Sequence, residues 1–142
     1  MRQVKHLLES KGSGVHAIAP EQSVLSALQR MAELRIGALL VMRGNELLGV
    51  VSERDYARKV ALQGRASSDT PVREIMSAPA LTVSPEESVE ACMRLCTDGR
   101  VRHLPVVERG AVVGVISIGD LVKAVIDDQA VEIEHLQRYI AG

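Results

Sequence analysis

The stretch GVVSERD at residues 49–55 is nearly repeated by GVISIGD at residues 114–120. Each begins with a glycine, continues with a short apolar run, and has an aspartate three residues after a serine. Shifting the chain against itself by 65 positions aligns residues 18–60 with residues 83–125 without a gap, and twelve of the 43 pairs are identical. The chain is therefore a tandem repeat, and this duplication decides the fold.

The segments before the two copies also match, VKHLL from Val4 and VREIM from Val72, but at an offset of 68. The first copy therefore carries three extra residues, around SKGSG. The polar stretch GRASSDTP between the copies is typical of a linker. We predict a first unit with an N-terminal leader at residues 1–64, a linker at 65–71, a second unit at 72–128 and a C-terminal helical extension at 129–142.

Each copy has the pattern of a strand, a helix, two strands and a second helix. The first helix follows a serine N-cap candidate, and the apolar runs at 38–42 and 47–52, with 104–107 and 112–117, predict two hairpins. The second helix should run from near Asp55 to near Gly64, whereas its equivalent after Asp120 should continue. We predict an α/β (α+β) fold of two βαββα units packed about a pseudo-twofold axis, with two related clefts between them.

Composition limits the possible partners. The 142 residues are 46% hydrophobic, and 17 basic against 18 acidic residues give a net charge of −1, so no overall field favours nucleic acid or an anionic membrane. Phe and Trp are absent, which removes the aromatic platform that stacks single-stranded bases. The apolar runs are too short to span a membrane and the N-terminus lacks a signal-peptide pattern, so we expect a cytoplasmic location.

The two cysteines, Cys92 and Cys96, are four residues apart in the first helix of the second copy. A disulfide at that spacing would strain the helical turn, so we expect buried free thiols. A metal site is the alternative, but only two ligands are in view.

The repeated Ser-x-x-Asp has two interpretations. Before an apolar helix it is the pattern of a capping box, in which serine and aspartate satisfy the free backbone N–H groups. The same carboxylate could instead accept hydrogen bonds from both hydroxyls of a vicinal diol, with Val50 and Val115 beside a flat heterocycle, as in a ribonucleotide. Spacing alone leaves both interpretations open.

The pattern Ser-Pro-x-x-Ser-Val, an apolar helix, Arg-x-x-x-Leu-Pro-Val-Val, then Gly-Val-hydrophobic-Ser-x-x-Asp resembles the cystathionine-β-synthase (CBS) domain. Two copies in tandem resemble a CBS pair, or Bateman module, from Val4 to Ile126. The resemblance implies clefts that bind an adenine nucleotide such as AMP, ADP, ATP or NAD, or S-adenosylmethionine. It also implies flat homodimers.

The resemblance also implies which residues form each cleft. Asp55 and Asp120 would hold the ribose diols, Ser52 and Ser117 would reach ribose or phosphate, and Val50 and Val115 would border the base. Each cleft would be completed by the other copy. For the Asp55 cleft these residues are Ala80, Leu81 and Val101, with Arg102 and His103 near phosphate; for the Asp120 cleft they are His16, Ala17, Ile36 and Gly37.

The two clefts should differ in charge. Arg102 and His103 align with Gly37 and Ala38, so one cleft has a cationic group that the other lacks. The first copy also surrounds its aspartate with basic residues, among them Arg54, for which a solvated helix face is the simpler interpretation. His103 is equally compatible with a half-buried structural histidine.

We predict a regulatory ligand sensor that is not an enzyme, acts on a separate effector protein of unknown identity, and has no nucleic acid or membrane partner. The apolar stripe after Asp120, which includes Ile133, Leu136 and Ile140, should either cover its own unit or form a homodimer contact. Two other functions stay open. One is an enzyme with Asp55 or Asp120 as general base; the other is a structural interaction subunit whose clefts are unoccupied.

Overall fold

The computed structural model describes residues 2–12 and 14–141. The first repeat contains a leader helix and a βαββα unit: α1 (Val4–Lys11), β1 (Ala17–Ile18), α2 (Val24–Leu34), β2 (Ala38–Arg43), β3 (Glu46–Ser52) and α3 (Glu53–Tyr56), which continues as a π-helical turn (Ala57–Ala61). Two 3₁₀ turns (Ser67–Asp69 and Val72–Glu74) lead to the second repeat: α4 (Val89–Gly99), β4 (His103–Glu108), β5 (Ala111–Ser117) and α5 (Ile118–Ala141).

The two hairpins pair their strands at equivalent positions, which confirms the predicted repeat. Strands β2 and β3 are antiparallel with Val41 opposite Gly49, and β4 and β5 are antiparallel with Val106 opposite Gly114. An irregularity follows the same position in both hairpins. The predicted serine caps are also present, because the Oγ atoms of Ser23 and Ser88 accept hydrogen bonds from Ser26 N and Ala91 N, each at 3.1 Å.

The first strand of the second copy is shorter than predicted. In the first copy β1 runs parallel to β2, and Leu40 N donates to His16 O at 3.0 Å. The residue equivalent to Leu40 is Pro105, which has no N–H to donate. Only a single bridge forms there, between Val83 and Val106. One substitution between the copies thus explains a three-stranded sheet in one unit and a two-stranded sheet in the other.

The two leader segments cross over, so that each packs on the other repeat. Val4 N donates to Glu87 O at 2.9 Å, and the equivalent Val72 N donates to Gln22 O at 2.8 Å. Val4 and Leu7 of α1 are buried in the core of the second repeat, whereas Val72 and Ile75 are buried in the core of the first. This crossing joins the two units in a pseudo-symmetric way. The predicted linker at residues 65–71 and the domain bounds on either side of it stay predictions from the sequence.

The crossing explains why each repeated motif begins with glycine. A Cβ atom on Gly114 would lie 2.6 Å from Leu8 Cδ2, and a Cβ atom on Gly49 would lie 2.5 Å from the backbone oxygen of Ser77. A side chain at Gly49 would therefore push against the leader backbone, and one at Gly114 would require Leu8 to move.

Both cysteines are buried free thiols, as predicted. Burial, with smaller contributions from Glu87 and Cys96, raises the pKa of the Cys92 thiol to about 11, so the thiol is protonated at neutral pH. Among residues 2–12 and 14–141, no helix combines the length and the apolar character needed to cross a membrane.

Beyond Val125 the last helix does not cover its own unit. Leu121 and Ala124 of α5 are buried, but every described residue from Ile126 onward is exposed, including Ile133, Leu136 and Ile140. Asp128 of α5 forms an ion pair at 3.1 Å with Arg2, which precedes α1 in the leader of the first repeat. Of the two expectations for the apolar stripe, packing on its own core is therefore wrong beyond Val125.

Alanine should destabilise the protein more at Gly49 than at Gly114. We expect Gly49→Ala to lower the free energy of unfolding by about 1–3 kcal/mol. Its obstacle is the Ser77 backbone, which is held by reciprocal hydrogen bonds with Val50. Gly114→Ala should cost less, because the Leu8 side chain can change rotamer. Gly14→Ala is the matched control, since its nearest contact is 3.8 Å. The free energy of unfolding is measured by urea denaturation. If Gly49→Ala is as stable as the control, the close packing of the leader is not the reason for the glycine.

Candidate functional site

A cavity of about 480 Å³ opens beside Asp55, between β3 and α3 of the first repeat and the start of β4 of the second. We call it the Asp55 cleft. All eight residues predicted for it line its wall: Val50, Ser52, Asp55, Ala80, Leu81, Val101, Arg102 and His103. The volume lies within the range of small-ligand pockets. Both repeats contribute to the wall, as the duplication predicts.

The Asp55 carboxylate forms the capping box and also faces the cleft. Its Oδ2 atom accepts hydrogen bonds from Ser52 N at 2.9 Å and from Ser52 Oγ at 3.0 Å, and Ser52 Oγ accepts from Asp55 N at 3.2 Å. Its Oδ1 atom lies 3.3 Å from the Nζ atom of Lys59. The capping interpretation of Ser-x-x-Asp is therefore confirmed, and it leaves one carboxylate oxygen outside the cap.

Guanidinium groups surround the same cleft. Arg54, Arg58, Arg100 and Arg102 all line it, and within residues 2–12 and 14–141 none of them forms an ion pair. Their mutual repulsion is visible at Arg54, whose pKa is lowered first by Arg102 and then by Arg58. Glu53 and Asp55 are the acidic residues on the wall. The cleft therefore has an excess of positive charge that an anionic ligand would neutralise.

A second cavity of about 410 Å³ lies where the Asp120 cleft is predicted, and we keep that name for it. His16, Ile36, Gly37, Val115 and Ser117 line it, as expected. Two predicted residues are placed elsewhere. Ala17 lies in β1 and pairs with Leu40, and Asp120 lines a separate cavity of about 280 Å³.

Lys11 is a site residue that the sequence analysis missed. Its Nζ atom donates to Asp120 Oδ2 at 2.5 Å and to the backbone oxygen of Val115 at 3.0 Å. Burial alone would raise the pKa of Asp120, but hydrogen bonds from Lys11 and Ser117 outweigh it and hold the pKa below its ordinary value. The available signal was the three extra residues of the first copy, which lie around SKGSG, the stretch that contains this lysine.

His103 stands in the wall between the two clefts and lines both. Burial lowers its pKa, and the positive charges of Lys11 and Arg102 lower it further against the opposing effect of Asp120. The imidazole is thus uncharged at neutral pH. In the part of the chain that the structure describes, no group of three or more His, Cys, Asp or Glu side chains is arranged to hold a metal ion.

Comparison with known proteins gives a family match on both repeats. The CBS domain model matches residues 11–62 and again residues 72–127. The mitochondrial CBS domain-containing protein CBSX3 of Arabidopsis thaliana is 36% identical over 148 residues, which cover 98% of this chain and 72% of that protein.

Two solved structures share the fold. A signal-transduction candidate with CBS domains from Burkholderia ambifaria MC40-6 is 48% identical with a TM-score of 0.87, over 90% of this chain and 96% of that one. The hexameric CBS-CP12 protein from bloom-forming cyanobacteria is 31% identical with a TM-score of 0.77, over 85% of this chain and 70% of that one.

Proposed function

The chain belongs to the CBS-domain family, and we propose that it is a regulatory protein that senses an adenine nucleotide between its two repeats. Binding would stabilise one arrangement of the repeats and so bias a homodimer or a separate effector protein. The signal-transduction description of the Burkholderia ambifaria protein supports a regulatory role.

The Asp55 cleft is the observation that carries this proposal. It combines a carboxylate with an oxygen outside the capping box, apolar walls from Val50 and Val101, and four unpaired guanidinium groups in the described part of the chain. A carboxylate suits the ribose diol, apolar residues suit a purine, and guanidinium groups suit phosphate. Arg102 and Arg54 are the residues we assign to phosphate. AMP, ADP, ATP and NAD share these three parts, whereas S-adenosylmethionine lacks phosphate and fits the cationic wall less well.

Self-association is the second part of the proposal. Val122, Ile126, Ile133, Leu136 and Ile140 are exposed on α5 at spacings of four, seven, three and four residues, which fit a heptad seam. A second copy of the same helix is the partner that such a seam favours. The hexameric assembly named for the cyanobacterial relative supports oligomer formation in this fold.

Two alternatives follow from specific features of the clefts. Both aspartates are already used in capping boxes, which favours a structural subunit with unoccupied clefts as the second candidate function. An enzyme with either aspartate as general base is less favoured, because the relatives compared are CBS domain proteins and neither aspartate has a neighbouring acid in its described hydrogen bonds.

The cytoplasmic location stays a prediction from the sequence, and the Arabidopsis relative is named as mitochondrial.

Adenine nucleotides should stabilise the folded protein. Binding at a hundredfold excess over Kd adds about 2.7 kcal/mol to the free energy of unfolding. We expect Asp55→Asn to weaken binding by about 1.5–3 kcal/mol, while folding changes by less than about 1 kcal/mol because asparagine can still cap. Thermal shift and calorimetry with AMP, ADP, ATP, NAD and S-adenosylmethionine provide the measurement.

The control for that experiment is Asp69→Asn, an exposed acid that lines neither cleft. If no adenine nucleotide shifts the melting temperature or releases heat, the structural-subunit alternative is favoured. If Asp55→Asn destabilises the apo protein and leaves affinity unchanged, Asp55 serves only as a cap.

Arg102→Ala should separate phosphate recognition from nucleoside recognition. We expect ADP and ATP to lose at least about tenfold in affinity, the scale of a hydrogen bond to a charged group, while adenosine affinity changes by less than about twofold. Arg94→Ala, an exposed arginine on α4 away from both clefts, is the control. Equal losses for adenosine and ATP would mean that Arg102 shapes the pocket and does not contact phosphate.

Deleting residues 131–142 should weaken self-association, because it removes Ile133, Leu136 and Ile140 from the exposed stripe. The double variant Ile133→Ser with Leu136→Ser should have the same effect, whereas Glu134→Ser on the same helix should not. Sedimentation velocity over a concentration series measures the association. Unchanged affinity after truncation would remove α5 from the dimer interface.

A further inference from the structure

The carboxylate of Asp120 is already bound by two donors from its own chain. Its Oδ2 atom accepts from Ser117 N at 2.8 Å and from the ammonium group of Lys11 at 2.5 Å. The same ammonium group donates to the backbone oxygen of Val115 at 3.0 Å. Val115 lines the Asp120 cleft, so the lysine joins a backbone oxygen of the cleft wall to the carboxylate of Asp120.

Lys11 also lies between Asp120 and the cleft. The lysine lines both the Asp120 cleft and the smaller cavity of about 280 Å³ behind it, whereas Asp120 lines only the smaller one. The side chains of Lys11 and Asp120 are 40% and 26% exposed, so the ion pair is open to solvent on one side and can exchange for another donor.

The position of Lys11 follows from the crossing of the leaders. Helix α1 is anchored by Val4 and Leu7 in the core of the second repeat and by Leu8 against Gly114, and Lys11 is its last residue. At the offset of 68 between the leaders, the equivalent residue is Pro79, which lines the Asp55 cleft without a charge. The leaders therefore bring a cation to one cleft and none to the other.

The Asp55 cleft also has a lysine, which provides a comparison. Lys59 Nζ lies 3.3 Å from Asp55 Oδ1 and donates to the backbone oxygen of Ile75 at 2.8 Å, so it also joins its aspartate to a backbone oxygen. Asp55 still lines its cleft together with Lys59. The position equivalent to Lys59 is Ala124, which is buried, so in the second repeat the lysine comes from α1 instead.

We propose that Lys11 determines occupancy: its ammonium group takes the place of the ligand diol on Asp120, so that each chain binds one nucleotide, in the Asp55 cleft. This inference rests on the proposed function and specifies which of the two clefts performs it. Removing the ammonium group should make the Asp120 cleft available as a second site.

The test is the binding stoichiometry of the full chain, measured by calorimetry with ATP and separately with AMP. We expect about one site in the unsubstituted protein and about two in Lys11→Met, which keeps the length of the side chain. Lys5→Met is the matched control and should keep one site, because Lys5 is exposed on the same helix and lines neither cleft. Lys11→Met combined with Asp120→Asn should return to one site, because the new site needs the carboxylate.

The outcomes distinguish the role of Lys11 from nucleotide binding itself. Two sites in the unsubstituted protein, or one site in Lys11→Met, would overturn the role of Lys11 and leave nucleotide binding in place. Absence of binding in every variant would overturn the proposed function together with this inference. A second measurement needs no nucleotide: in carboxyl-detected NMR titrations the pKa of Asp120 should rise in Lys11→Met and stay the same in Lys5→Met. An unchanged pKa would show that the ion pair does not form in solution.

Discussion

The contact between each leader and the glycine of the opposite repeat is the constraint on which the rest of the structure depends. Leu8 lies 2.6 Å from where a Cβ atom of Gly114 would be, and the Ser77 backbone oxygen lies 2.5 Å from where a Cβ atom of Gly49 would be. These approaches fix each leader on a β-strand of the other unit and complete both apolar cores. Because the clefts lie along the same strands, the contact that joins the units also shapes the candidate sites.

A duplicated chain would give two equal clefts if the copies were identical, and three substitutions make them unequal. Pro105 in place of Leu40 removes one backbone donor and shortens a sheet. Arg102 in place of Gly37 adds a cation beside the Asp55 cleft. Lys11 in place of Pro79 places a cation on the carboxylate of Asp120. The second and third differences add local charge, so they change what a cleft can bind without changing the fold.

The sequence predicted what depends on local pattern and on duplication, and missed what depends on the crossing of the leaders. Caps, hairpins and the wall of the Asp55 cleft follow from spacing and from the resemblance, and all eight of its residues line one cavity. The ion pair between Lys11 and Asp120 could not be predicted, because the two residues are 109 positions apart in the chain. The exposure of Ile133 and Leu136 could not be predicted either, because an apolar stripe has the same pattern whether it packs on its own unit or on a second copy.

His103 is the group through which the two clefts can influence each other. It lines both, and its pKa is lowered by burial, by Lys11 on one side and by Arg102 on the other. An anion beside Arg102, or loss of the ammonium group of Lys11, would each favour the imidazolium form and raise that pKa. The protonation of one side chain therefore depends on the charge in both clefts, although the clefts differ in structure.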